Sequence, residues 1–182
     1  MKLLVSVAMA AFVLGSAAIA ADAPKTAPEV QPPIRGEEVS PAAFITKAVR
    51  SDMFEIRSGQ LAQQRATSVE LRSFAEEMVQ AHNQSLQKLS DVAHAAGLMP
   101  REGIRLDVYQ LEQMKELQAA APGKFDTVYL QSQVAAHEDA LDLFKKYGAQ
   151  GQNPTLKDLA REITPVIQDH MNALTKLAAR RR

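Results

Sequence analysis

Cysteine is absent from the 182 residues. That excludes disulfides, thiolate metal sites, a cysteine nucleophile and lipid attachment through an N-terminal cysteine. Tryptophan is also absent and aromatics amount to 5% of the chain, while Ala, Leu, Gln, Glu and Lys abound, a composition that favours helix over sheet. Neither charge sign dominates: 21 Lys plus Arg balance 21 Asp plus Glu, so no overall field draws the chain to nucleic acid or to an anionic membrane. Internal repeats, a Gly-rich phosphate loop and a G-x-S-x-G elbow are missing as well. The chemistry that remains must come from histidine and carboxylate side chains.

The first residues read as a secretory signal. Lys2 is the charged start, Leu3 to Leu14 the apolar run, and Ala18-Ile19-Ala20 an A-x-A cleavage site, which favours removal of residues 1–20 over a retained membrane anchor. The expected location is periplasmic or secreted, with no integral membrane span after cleavage. Residues 21–40 carry Pro24, Pro28, Pro32 and Pro33 among small and charged residues, the composition of an extended linker. Residues 41–178 form the predicted domain. Arg180, Arg181 and Arg182 fall in a solvated basic tail, residues 179–182.

Four main helices are predicted in that domain. Ser40-Pro41 opens the first as N-cap and first-turn proline, with one face reading Ile45, Ala48, Asp52, Glu55, Gly59, Ala62 and Ala66. Thr67 and Glu70 have the spacing of a capping box for the second, whose stripe is Leu71, Ala75, Met78, His82, Leu86 or Ser85, Leu89 and Ala93. Gly97 and Pro100 stop it, and His94 lies off the stripe, on the surface. A long connection with one short helix, about Leu106 to Ala120, follows; its length suits a crossover along a ferritin-like bundle. The third main helix is predicted from near Phe125 to near Gly148, with Leu130, Val134, His137, Leu141 and Phe144 inward. Asn153-Pro154 opens the fourth, whose apolar face is Ile163, Val166 or Ile167, His170, Ala173 or Leu174, and Leu177. Pro165 is expected to kink it.

Each main helix thus places one polar residue on its apolar face: Glu55, His82, His137 and His170. Glu55 lies twelve residues before Thr67 and His82 fifteen after it, an offset in depth of about 4–5 Å. His137 and His170 lie fourteen and nineteen residues from Gly151, an offset of about 7–8 Å that the loop or Pro165 must absorb. Three imidazoles and a carboxylate meeting in a dry bundle suit one transition-metal ion, with zinc, iron, manganese and copper all admissible. Asp52, Glu138 and Asp169 are candidate acceptors for the rings' second nitrogens. Met78, one turn before His82, is a soft donor that would favour copper, though methionine at such a position more often fills core. Di-iron chemistry of the ferritin kind requires Glu-x-x-His, and Val79, Val134 and Ile167 stand three residues before the histidines, so a mononuclear site is the sharper expectation.

Glu55 with Leu61-Ala62, Phe74-Ala75 with Met78-Val79 and His82, Phe125-Asp126 with Tyr129 and His137, and Leu159-Ala160 with Pro165 and His170 together resemble a bacterial family, domain of unknown function 4142. The resemblance spans roughly Pro41 to Leu177 and implies an exported, ferritin-like helical bundle; it implies no reaction. The family often sets Asp directly before its histidines, a pairing kept here only by Asp169-His170, with Ala81 and Ala136 before the others. Members often carry an outer-membrane label, yet alternating ten-residue strands, the mark of a barrel, do not occur here.

Two functional readings stand side by side. In one, the exported bundle binds a metal through Glu55, His82, His137 and His170. In the other it is a metal-free interaction or stress-response module, with a protein partner, whose buried His and Glu layer only fixes helix register. A redox enzyme would further require an open coordination position and a substrate route, which the sequence does not specify. In both readings, His82→Ala, His137→Ala and His170→Ala each lose about 1–3 kcal/mol in chemical denaturation, because each strands a buried polar partner. Wild-type stability in all three would place these side chains in water.

Overall fold

The computed structural model describes residues 39–100 and 103–180. The predicted signal segment, residues 21–38 of the predicted linker, and Arg181 and Arg182 of the tail lie outside the described residues. Five helices follow in order: α1 (Pro41–Arg65), α2 (Val69–Ala95), α3 (Val108–Ala119), α4 (Pro122–Gln150) and α5 (Pro154–Ala179). The architecture is all-α: α1, α2, α4 and α5 form a ferritin-like four-helix bundle, and α3 lies in the long connection. None of these helices is long and apolar enough to cross a membrane.

Local chemistry sets most of the ends. Ser40 accepts from the Ala43 N–H with Pro41 behind it, and Asn153 accepts from Leu156 with Pro154 behind it, as expected. Gly97 sits at φ 66°, the left-handed conformation a helix C-terminus needs. Two expectations are corrected. The N-cap of α2 is Ser68, not Thr67: Ser68 Oγ accepts from the Leu71 N–H at 3.2 Å. Thr67 is instead engaged by Asp126, which accepts from the Thr67 amide at 2.9 Å, its hydroxyl at 2.6 Å and the Ser68 amide at 3.1 Å. On α4, the deep positions are Gln133 and Ala140, whereas Val134 and Leu141 are only partly buried.

The core falls into two apolar clusters. One contains Phe44, Val49, Leu89, Phe144, Tyr147, Leu156 and Ile167; the other contains Phe54, Leu71, Met78, Phe125, Tyr129, Leu130 and Leu174. Met78 is thus core filling. Each main helix runs from one cluster to the other, α1 and α5 in one direction, α2 and α4 in the opposite one. The connection from α2 to α4 must therefore travel the length of the bundle. It begins with Leu98, Met99 and Ile104 on the first cluster and ends with Leu117 on the second. Asp107 caps α3 in a capping box with Gln110. Arg50 ties the strap by donating to the Arg105 carbonyl at 2.8 Å, and Arg65 donates to the carbonyls of Leu117, Gln118 and Ala120 at the end of α3.

Between the two clusters lies one polar layer, crossed by all four main helices. Close approach of α1 to α2 beside it depends on Gly59, where an added Cβ would lie 2.8 Å from Val79 Cγ2 and 3.1 Å from the Ala75 carbonyl oxygen. In an open helix interior Gly→Ala gains about 1 kcal/mol. Here the contact reverses the sign, and Gly59→Ala is expected to lose about 1–3 kcal/mol in urea denaturation. A more stable variant would show that the two helices are not held that tightly.

Candidate metal centre

The polar layer consists of Asp52 and Glu55 on α1, His82 on α2, Gln133 and His137 on α4, and His170 on α5. Glu55 and His137 are each 1% exposed, Asp52 4% and His82 7%, while His170 is half-buried. The bundle brings the three histidines together: their ring centroids are 5.4 to 5.6 Å apart, and one ligand atom from each lies within 4.8 Å of the others. His94 is exposed, as expected. Counted from the helix ends, His137 lies thirteen residues before Gln150 and His170 sixteen after Pro154. That three-residue offset, about 4–5 Å, is less than the loop-centred count implied and within side-chain reach.

Neighbouring groups set the proton on two of the rings. His82 Nδ1–H donates to Asp52 Oδ1 at 2.8 Å, leaving Nε2 buried without a hydrogen bond. His137 Nδ1 faces the Gln133 carbonyl at 2.9 Å; a carbonyl only accepts, so Nδ1 carries the proton and Nε2 carries the lone pair. That Nε2 lies 3.3 Å from His170 Nδ1. Two nitrogens bound to one tetrahedral zinc at about 2.0–2.1 Å are themselves about 3.3 Å apart. The same distance also suits a hydrogen bond from His170 Nδ1–H to His137 Nε2.

Glu55 borders the imidazoles. Its Oε1 is 3.7 Å from His137 Nδ1, on the ring edge opposite the lone pair, and neither carboxylate oxygen meets a donor in hydrogen-bond geometry. Gln133 lies close enough to favour the anion, but its amide nitrogen donates to Ser58 Oγ at 3.2 Å. Among the predicted acceptors only Asp52 holds a ring. Glu138 and Asp169 are exposed, and Asp169 acts on His170 only through its charge. Sequence reasoning singled out Tyr129 only within the family resemblance and overlooked Gln133 and Ser58 around Glu55. Their signal was helical spacing: Gln133 is four residues before His137, and Ser58 three after Glu55.

Burial governs the protonation of the layer. It pushes His137 down to about 3 and His170 down to about 4, assisted in both by the charge of His82. Both rings are therefore neutral at pH 7. Burial raises Glu55 to about 7 against the charge of His82, and raises Asp52. For His82 burial acts downward, but the hydrogen bond and charge of Asp52, with the charge of Glu55, outweigh it and hold the imidazole above its ordinary value. Tyr129 is pushed well above the phenol range by burial and then by Glu55.

These shifts have opposite signs in stability. Between about 4 and 6.5 the unfolded chain takes up protons that His137 and His170 refuse, so their contribution is lost as pH falls. Glu55 holds in the folded state a proton that the unfolded chain releases above 4.5; its contribution is complete below that value and is lost as pH rises through about 7. Metal-free Glu55→Gln, lacking that loss, should gain about 1–3 kcal/mol relative to wild type between pH 5 and 8, at about 1.4 kcal/mol per pKa unit. Parallel stability profiles in urea titrations would show that Glu55 is not held protonated by burial.

Comparison with known proteins agrees with this architecture. The sequence model of the family described as Domain of unknown function (DUF4142) matches residues 23–177. A DUF305 fragment from Deinococcus radiodurans has a similar structure, with a TM-score of 0.68 and 12% identity over 79% of this chain and 99% of its own. A DUF305 protein from Streptomyces coelicolor, whose name marks it as secreted, gives a TM-score of 0.63 and 14% identity over 78% of this chain and 94% of its own. No curated protein matches the sequence.

Proposed function

The chain belongs to the DUF4142 family, and on that footing we propose that it is an exported protein that binds one transition-metal ion in its bundle core. His82, His137 and His170 are the ligands, and Glu55 stands beside them as balancing charge. The observation that carries the reading is the convergence of three imidazole nitrogens within 4.8 Å, two of them backed by acceptors that fix their tautomers. The orphaned His82 Nε2 and the two Glu55 oxygens fit a cation: buried polar atoms without partners are costly, and an ion gives them one. With neutral His137 and His170, a divalent charge is met by the carboxylates of Asp52 and Glu55. An all-imidazole set with nearby carboxylate suits zinc, iron or copper, and manganese less well. When bound, the ion supplies Lewis acidity or electron transfer according to its identity. The chain's own part is to hold the rings and keep two of them unprotonated. The apolar run Leu3 to Leu14 and the A-x-A pattern of Ala18-Ile19-Ala20 support a location in the periplasm or outside the cell.

A second reading has its own observation. If His170 Nδ1 keeps its proton, Gln133, His137 and His170 form a continuous hydrogen-bonded chain, and the layer fixes helix register in a metal-free module that works through a protein partner.

Equilibrium dialysis of the mature protein against zinc, copper(II) and iron(II), followed by elemental analysis, separates the two. Metal binding predicts one ion per chain, lost in His137→Ala and His170→Ala, and a stabilisation of about 2.7 kcal/mol at one hundred times Kd. Metal-free protein whose unfolding ignores all three ions would establish the structural layer instead.

A further inference from the structure

Beside the imidazoles the bundle leaves a cavity of about 30 Å³. Away from the polar layer its wall is apolar, formed by Ala140, Phe144, Ile163 and Ile167. A water needs about 10–15 Å³ of such space, so one or two heavy atoms fit. We propose that this compartment receives an uncharged ligand of one or two heavy atoms, held against the open position of a three-histidine metal, and that the ligand enters between α2 and α5. The inference rests on the metal-binding reading and adds to it a ligand class and a route.

Three features support the ligand class. Three protein nitrogens leave a coordination position free on a tetrahedral ion. An apolar wall gives an anion no donor to replace its water, so transfer of a charged ligand is costly. The acidic side chains of Asp52 and Glu55 also line the cavity and balance a divalent ion there, so an incoming anion finds no net positive charge to neutralise. An uncharged diatomic meets neither penalty.

The route follows from exposure. Val166 lines the cavity and is 45% exposed, which makes it the lip. Opposite it on α2, the small side chains of Ala81 and Ser85 line the same cavity and are only partly buried. Of the neighbouring main-helix pairs, α2 and α5 have the least extensive contact. His170, the half-buried ligand, stands on this side. One turn away the seam is bridged at the surface by Lys88 and Glu162 at 2.6 Å, a mutually neutralised pair that offers no charge to draw an ion inward. On the α1–α4 side the lining includes Ala140, which is buried, and Ser51 and Ala136, which are partly buried; no lining residue there is as exposed as Val166.

The test uses the full mature protein loaded with cobalt(II), whose visible spectrum reports coordination number, with nitric oxide as the uncharged probe and azide as the anionic one. Nitric oxide should change the cobalt spectrum at least tenfold more readily than azide. Val166→Phe, and the milder Val166→Met, should slow nitric oxide association, Phe by tenfold or more, with cobalt stoichiometry and the cobalt-only spectrum unchanged. Asp139→Leu, an exposed position on the α1–α4 side that does not line the cavity, should leave the rate as in wild type. Azide binding as readily as nitric oxide, or no spectral change with either, overturns the ligand class. Unaltered rates in both Val166 variants, or slowing in Asp139→Leu alone, overturn the route. A protein that takes up no cobalt overturns the metal-binding reading, and this inference with it, a failure distinct from the others because it precedes any probe.

Discussion

Five ionisable side chains share one layer between two clusters of aliphatic and aromatic residues, and the structure must neutralise them. Removing a charged group from water costs several kcal/mol unless a partner is supplied. The bundle supplies some partners itself: Asp52 for His82, the Gln133 carbonyl for His137. It leaves others without hydrogen bonds, notably His82 Nε2 and both Glu55 oxygens. This incompleteness separates the layer from an ordinary structural hydrogen-bond network, in which each member meets its partners.

The fold places this layer by topology. Two apolar clusters take up the ends of the bundle, and each main helix presents its polar residue where it passes from one to the other. The crossover makes α2 and α4 run in the same direction, which brings His82 and His137 to one depth from helices joined by a long strap. Asp126 and Arg65 secure the end of the bundle where α1 hands over to α2 and the strap hands over to α4. The site's geometry is thus fixed by contacts outside it, and rigid helices hold ligands more sharply than loops do.

Much of this was legible in the sequence. The α1 face from Ile45 to Ala66 is buried throughout, and the histidine stripes on α2 and α5 pick out residues that converge. Where two candidates were open, packing chose Ile167 over Val166 and Leu174 over Ala173, choices that single-residue steps of 100° leave to tertiary contact. Gln133 escaped notice because a polar residue beside Val134 reads as solvent-facing, yet its amide is spent inside on Ser58. Thr67 has the right spacing for a cap, but the long-range partner Asp126 claims it, and no local pattern shows a contact across that many residues. The position of Glu55 beside the rings rather than among them also depends on rotamers that the sequence does not specify.

The metal centre depends on three imidazole nitrogens lying within 4.8 Å of one another. X-ray absorption at the metal edge of zinc-loaded protein tests this most directly. It predicts a first shell dominated by imidazole nitrogens at about 2.0–2.1 Å with the outer-shell scattering of three rings. A shell of oxygens alone, or a single ring, would contradict it.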